Sequence, residues 1–273
     1  STRNGTANTV WISHRTGTTW SAPTALTPMG GAIGDAFGAS LSFSNGSLAV
    51  GAPGVNGGGS DRGAVYVFVD SGSAFTQQGM LTASNPQDQD SLGTAVAIDG
   101  DILVAGAPNR DGGGGAVDIG IAYVFTRSGN AWSQQAVLVG PPSAGSSFGR
   151  AVAISGTRVA VAAAAVPLSG VSAGPGSVRT FSQSGTTWPL EHTITLAGGV
   201  IGDEFGAALS LSGDVLAVGV PGREHAGRTD VGVVVPHILT STTWSAQTII
   251  AAPALDDSDE DAFGRSVAIS AQL

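Results

Sequence analysis

The chain has 273 residues, 42 of them Gly, with 42% apolar and 11% charged residues; this is too apolar for a disordered chain, and the Gly follows no three-residue period, which excludes collagen. The net charge is −9 and all 11 basic residues are Arg, which argues against a nucleic-acid binder and against an electrostatic membrane anchor. There is no Cys, so disulfides, thiol catalysis and Cys-ligated zinc are excluded, and no apolar run approaches the roughly 20 residues that cross a bilayer.

The chain opens at Ser1 rather than at a Met or a signal peptide, which reads as a processed or excerpted chain. Asn4 and Asn45 each start an Asn-Gly-[Ser/Thr] sequon, a glycan site only in a host that glycosylates. The first alternating run is "TVWIS", Thr9 to Ser13, followed after a polar turn by Trp20. A phrase then begins at Phe37-Gly38. It returns at Leu92-Gly93, Phe148-Gly149, Phe205-Gly206 and Phe263-Gly264, at steps of 55 to 58 residues. A second marker, Trp20, Phe75, Trp132, Trp188 and Trp244, keeps nearly the same period. Two independent markers with one period identify an internal repeat. The units are 37–91, 92–147, 148–204, 205–262, and 263–273 joined with 1–36.

Each unit reads as four short strands. Strand one follows the Phe-Gly ("ASLSFS", "TAVAID", "RAVAIS", "AALSLS", "RSVAIS"). Strand two is "SLAVGAP", "ILVAGAP", "RVAVAAA" or "VLAVGVP". Strand three is "AVYVF", "IAYVF", "SVRTF", "VGVVV" or the N-terminal "TVWIS", and strand four follows the recurring aromatic. All alternate, are rich in β-branched residues and are bounded by turn residues. In strand one, Leu41/Phe43, Val96/Ile98, Val152/Ile154, Leu209/Leu211 and Val267/Ile269 form a large face. Ser42, Ala97, Ala153, Ser210 and Ala268 form a small face. Both faces need covering, so the large face of one unit is expected on the small face of its neighbour. Radial stacking of such sheets is a β-propeller, here all-β with about five four-stranded blades.

Phe37-Gly38 with Gly51-Ala52-Pro53, and Leu92-Gly93 with Gly106-Ala107-Pro108, resemble the FG-GAP repeat family. The phrase weakens to "GVP" at Gly219-Val220-Pro221 and to "AAA" at Ala162-Ala163-Ala164. The likeness runs over essentially the whole chain and is to the bacterial form of the repeat, related to the propeller of integrin α subunits. It implies a secreted or cell-surface protein with an adhesive, ligand-binding or structural role, without catalysis.

Strand two occurs four times and the other strands five, so the blade shared between the termini apparently lacks a strand. Three readings are open: a missing piece outside the chain, a three-stranded blade, or a strand donated by a neighbouring chain. Unpaired edges invite another chain's strand, and a contact that does not close makes a filament. The expected partner is therefore a second copy joined through the incomplete blade, with glycans or other surface proteins as further candidates and no nucleic acid or membrane insertion.

"GVSAG", Gly170 to Gly174, has the nucleophile-elbow pattern around Ser172, but in a Gly-rich loop where an elbow needs a strand-to-helix turn. His14, His192, His225 and His237 show no metal-ligand spacing. Asp257, Asp259 and Asp261 alternate like the opening ligands of a calcium loop, without the turn Gly; a solvated acidic loop is the favoured reading and calcium the candidate cofactor. Asp35, Asp90, Asp203 and Asp261 each stand two residues before the Phe or Leu, with Ser146 in the third unit, as turn-holding residues do. Trp20, Trp132, Trp188 and Trp244 are either covers for a blade edge or sugar-stacking platforms of a lectin-like propeller.

Overall fold

The structure is a computed structural model that describes residues 9–57, 59–72, 74–164, 174–225, 227–252 and 261–270. Among them there is no α-helix; the chain is all-β apart from one 3-10 turn at Gly113–Gly115. Four antiparallel sheets follow one another along the chain, each with its four strands paired in chain order. The first sheet contains Ser40–Ser44, Ser47–Ala52, Ala64–Asp70 and Phe75–Leu81. The second contains Ala95–Asp99, Ile102–Ala107, Ile121–Ser128 and Ala131–Val139. The third contains Phe148–Ser155, Arg158–Ala163, Ser177–Ser182 and Leu190–Thr195. The fourth contains Ala208–Ser212, Val215–Val220, Val233–Thr240 and Thr243–Ala246, with Ile250–Ala251 added beside Val233 and Val234. Near the N-terminus Val10–Ile12 pairs with Thr24–Leu26, and Arg15–Thr16 with Thr19–Trp20.

The Phe-Gly phrase has a local cause. The amide of the residue after each Gly donates to the carbonyl of the residue before each Phe or Leu, as Ala39 does to Ala36 and Thr94 to Ser91. Gly38, Gly93, Gly149, Gly206 and Gly264 all have φ between 90° and 95°. A turn of type II requires that conformation at its third position, which only Gly adopts at no steric cost. The apolar residue before the Gly points inward: Phe37, Leu92, Phe148 and Phe205 are buried.

The sheets stack as the large and small faces require. Val96 and Ile98 of the second sheet pack with Ala49, Val65 and Val67 of the first. Ala97, on the opposite face, packs with Phe148 and Val152 of the third. Neighbouring sheets contact one another chiefly through their first strands. Hydrogen bonds tie the hairpin tips together: Ser44 Oγ to Asp99 Oδ1 at 3.2 Å, and Gly156 N to Asp99 Oδ2 at 2.7 Å. Several four-stranded antiparallel sheets stacked in this way are consistent with a propeller.

Residues 265–270, expected as a fifth strand one, lie on the fourth sheet as a strand one would. Ile269 N donates to Ser210 Oγ at 3.0 Å, as Ile98 N does to Ser42 Oγ at 3.0 Å. They nevertheless form no ladder among the described residues. In the four complete sheets strand one pairs only with strand two, and here none stands beside it.

One buried group of the fourth sheet makes stability sensitive to acid. His237 packs edge-on against Phe205 at 6.1 Å, and burial lowers its pKa, although Nδ1 lies 3.2 Å from the Val235 carbonyl. An unfolded His titrates at about 6.5, so below that value protons favour the unfolded chain. Stability contributed by neutral His237 is full above about pH 6.5 and is lost as pH falls towards the depressed folded value. We expect His237→Gln to flatten this component, read as urea midpoints at about pH 7.5 and about pH 5.5. An acid loss as large in the variant as in the parent would refute it.

Candidate functional site

The most prominent site is a place where the repeat is interrupted. In the second sheet the large face of strand one is covered by the first sheet, and Val96 and Ile98 are 8% and 4% exposed. The equivalent Leu41 and Phe43 of the first sheet are 53% and 58% exposed. Among the described residues, this face is met by the two-stranded pair Val10–Ile12 and Thr24–Leu26, whose Val10 and Leu26 pack with Phe37, Leu48, Val50 and Tyr66. Val10 and Ile12 occupy the places that Val65 and Val67 take in the next interface, the places of a strand three. Among the described residues, no strand stands at the positions that strands one and two would take beside them.

The result is a cleft of about 390 Å³ lined by Val10, Ile12, Leu41, Phe43, Leu48 and Phe75. Phe43 and Phe75 meet edge-on at 6.2 Å, and His14 stacks obliquely on Phe75 at 6.0 Å. Beneath the cleft, Phe37 packs edge-on against Tyr66 at 5.5 Å. Burial, and then the nearby Asp35 carboxylate, raises the Tyr66 pKa, so the phenol stays a neutral O–H. Among the described residues, Val10–Ile12 has a strand partner on one edge only, the edge facing Thr24–Leu26. Trp11 is 65% exposed, whereas the equivalent Tyr66 is fully buried. An apolar floor beside a bare strand edge is suited to receiving an extended segment by β-strand addition.

The other sequence-derived candidates fall elsewhere. Asp257, Asp259 and Ser172 lie outside the described residues. Asp261 Oδ2 lies 3.6 Å from Arg228 Nη2, so a guanidinium already stands beside this carboxylate. Among the described residues no three His, Asp or Glu side chains group as metal ligands. The turn-holding role holds for three of the Asp residues: Oδ2 of Asp35, Asp90 and Asp203 accepts the amides of Ala32, Gln87 and Val200 at 2.6 to 2.8 Å. Ser146 Oγ instead donates to the Ile119 carbonyl at 2.6 Å. Trp132 and Trp188 reach back to the preceding sheet, donating from Nε1 to Gln78 and Gln135 at 2.7 Å. Trp188 and Trp244 are buried and Trp132 is half-buried, so of the four candidate platforms only Trp20 is exposed.

Sequence reasoning missed one recurring element. Arg110 Nη1 donates to Asp90 Oδ2 at 2.8 Å and to the Asn85 carbonyl at 2.6 Å. Arg223 repeats this with Asp203 at 2.8 Å and the Gly198 carbonyl at 2.7 Å. The available signal was an Arg two residues after the Pro in "GAPNR" and "GVPGR".

The link between consecutive units explains why the two halves of the phrase travel together. The amides of Leu92, Phe148, Phe205 and Phe263 donate to carbonyls in the preceding unit, those of Arg62, Ile119, Pro175 and Val231. A Cβ added at Gly51, Gly106 or Gly219 would collide with the carbonyl oxygen of Gly93, Gly149 or Gly264. The Gly that precedes Ala-Pro is thus the seat for the next unit's Phe-Gly turn. Residues 20–68 and 75–125 match the FG-GAP repeat family. These two segments are FG-GAP repeats. No curated protein matches the chain. The FG-GAP seat recurs beyond the matched segments, at Gly219 against Gly264 and, with Ala in place of Gly, at Ala162 against Gly206.

Proposed function

We propose that this protein is a non-enzymatic β-propeller of about five blades, secreted or displayed on a cell surface, that serves adhesion or structural assembly. Its cleft accepts a strand from a neighbouring chain, and head-to-tail repetition of that contact builds a filament. Residues 263–270 on the fourth sheet and the pair Val10–Ile12 and Thr24–Leu26 on the first supply three strands of the fifth blade. The incoming strand supplies its strand two. The observation that carries this reading is the bare face of Leu41 and Phe43, whose equivalents in the next unit are covered. FG-GAP repeats support the surface location, and no described helix is long and apolar enough to cross a membrane.

The test is the assembly state over a concentration series, by light scattering and negative-stain microscopy, with Leu41→Ser/Phe43→Ser as the comparison. Both side chains are half-exposed, so covering them is worth roughly 1 kcal/mol each, and losing both weakens association about thirty-fold. The double variant should stay monomeric where the parent forms open oligomers, with its thermal midpoint unchanged. A parent that is monomeric at every concentration refutes the assembly.

A further inference from the structure

We propose that the seam between the third and fourth sheets is where this molecule opens, and that mild acid drives the opening through His237. The fourth sheet, with residues 263–270 on it, parts from the third while the other seams stay closed. The opening involves neither the cleft nor self-association.

The backbone ties at this seam are fewer than at its equivalents. At the other three junctions a Gly of one unit forms a parallel bridge with the Phe or Leu of the next: Gly63 with Leu92, Gly120 with Phe148 and Gly232 with Phe263. Among the described residues Gly176 and Phe205 form no such bridge. A second tie starts from the residue before the Phe or Leu. The amides of Ser91, Ser147 and Ala262 donate to the carbonyls of Asp61, Asp118 and Asp230 at 2.9, 2.9 and 3.1 Å. Among the described residues the equivalent amide of Glu204 makes no such bond. Two amides still cross the seam, that of Phe205 to the Pro175 carbonyl at 2.9 Å and that of Gly213 to Ser155 Oγ at 3.0 Å.

The side chains at this seam are also less well matched. Val178 and Ile194 of the third sheet pack on the fourth, so Thr180 and His192, each two residues away on the same paired strands, face it too. Val67 with Gly79, and Val124 with Ala136, hold these places in the first and second sheets. Thr180 is fully buried and its Oγ1 has no hydrogen-bond partner, and the buried Nδ1 of His192 has none either. Trp132 and Trp188 donate from Nε1 to the bulged Gln78 and Gln135 of the preceding sheet. The bulged residue of the third sheet is Glu191, whose Oε2 lies 3.1 Å from Arg158 Nε, and Trp244 Nε1 has no partner. Buried polar atoms of this kind cost stability that solvent returns when the seam parts.

His237 faces the same seam from the fourth sheet, two residues from Val235, in the place that Phe68, Phe125 and Phe181 take in the other sheets. Around it stand the Phe205 ring, the Val235 carbonyl and Leu216. The charged groups of the seam are Arg158 with Glu191 and Asp214, and Arg223 with Asp203 in the turn before Phe205; His192 is the second imidazole. Arg179 points the other way, to the Val139 carbonyl of the second sheet. Each of these carboxylates already has an Arg beside it, so a proton on His237 would be a buried charge with no counter-ion of its own. Opening hydrates that charge. An imidazole that titrates at about 6.5 once hydrated favours opening about tenfold between about pH 7.5 and about pH 5.5.

Hydrogen exchange on the full chain, detected by mass spectrometry at single-amide resolution, reads the seams separately as protection factors at those two pH values. The Phe205 and Gly213 amides report the seam between the third and fourth sheets, and those of Phe148 and Gly156 the seam between the second and third. We expect Phe205 and Gly213 to be at least tenfold less protected at the higher pH, and the gap to widen about tenfold at the lower. His237→Phe should remove the widening. Thr180→Val/His192→Ala should narrow the gap at both pH values. Equal protection of the two seams at the higher pH overturns the weaker seam, and a gap that Thr180→Val/His192→Ala leaves unchanged overturns its side-chain cause. A gap that does not change with pH, or a widening that survives His237→Phe, overturns the acid drive.

Discussion

Replacing Arg110 by Ala is expected to cost about 3–5 kcal/mol of folding stability. Asp90 sits in the turn that presents Leu92-Gly93 to the first unit, and its side chain is 1% exposed. Its Oδ2 accepts the Gln87 amide at 2.7 Å and the Arg110 guanidinium at 2.8 Å, while Oδ1 is buried with no hydrogen-bond partner. Removing the guanidinium leaves a buried carboxylate with one amide for company, and a charge stranded in that way costs more than the pair itself is worth. The third unit supplies the rescue, because Ser146 occupies the Asp position there and satisfies itself on the Ile119 carbonyl. Asp90→Ser in the Arg110→Ala background should therefore recover most of the loss. Urea unfolding of parent, single and double variants reads both effects. A single-variant loss under about 1 kcal/mol, within the range of a surface pair, would show that Arg110 does not compensate a buried charge.

The repeat, the strands and the large-and-small faces were legible because each rests on local periodicity, and periodicity survives in one sequence. Leu41 and Phe43 could be named as a large face from alternation alone. Counting strand two, which is also a repeat-level signal, points to an incomplete blade shared between the termini and not to any particular exposed face. What stayed hidden was set between units. Ala36, Ser91, Ser147, Glu204 and Ala262, the residues before each Phe or Leu, all have φ between 47° and 57°. Nothing in that mixture announces a left-handed conformation, since neither Ala nor Glu favours it. The neighbouring unit holds it there: the amides of Ser91, Ser147 and Ala262 donate to the carbonyls of Asp61, Asp118 and Asp230. The Trp residues illustrate the same limit. Their position before an outer strand was visible, but the Gln78 and Gln135 oxygens that receive Trp132 and Trp188 lie more than 50 residues away. The acidic run from Asp256 reads as a solvated loop with calcium as a candidate, and the sequence does not reveal that Asp261 stands beside Arg228.

Gly106→Val should destabilise the fold by about 3 kcal/mol, against the sign that strand propensity alone would give. Gly106 lies inside a strand, where exchanging Gly for a β-branched residue ordinarily gains about 0.5–1 kcal/mol. Gly79 provides that ordinary case within the same protein. It lies in the strand Phe75–Leu81, and a Cβ there would meet only Leu81 Cδ2, at 3.9 Å. Gly79→Val is therefore expected to be neutral or mildly stabilising. At Gly106 the obstruction is backbone: the new Cβ would run into the Gly149 carbonyl, and it would stand 3.0 Å from the Gly149 Cα. Backbone cannot rotate aside as a side-chain end can, so the third unit would have to move off the second. That movement would strain the Phe148 amide bond to the Ile119 carbonyl, 3.1 Å in length, and the contact of Val152 with Ala97. The measured quantity is the difference in urea midpoint between the two Gly→Val variants. If both shift alike, the Gly of the second strand serves only its own strand. If only Gly106→Val falls, the Gly-Ala-Pro of one unit and the Phe-Gly of the next are two halves of a single contact. Each sheet is then held by its neighbour.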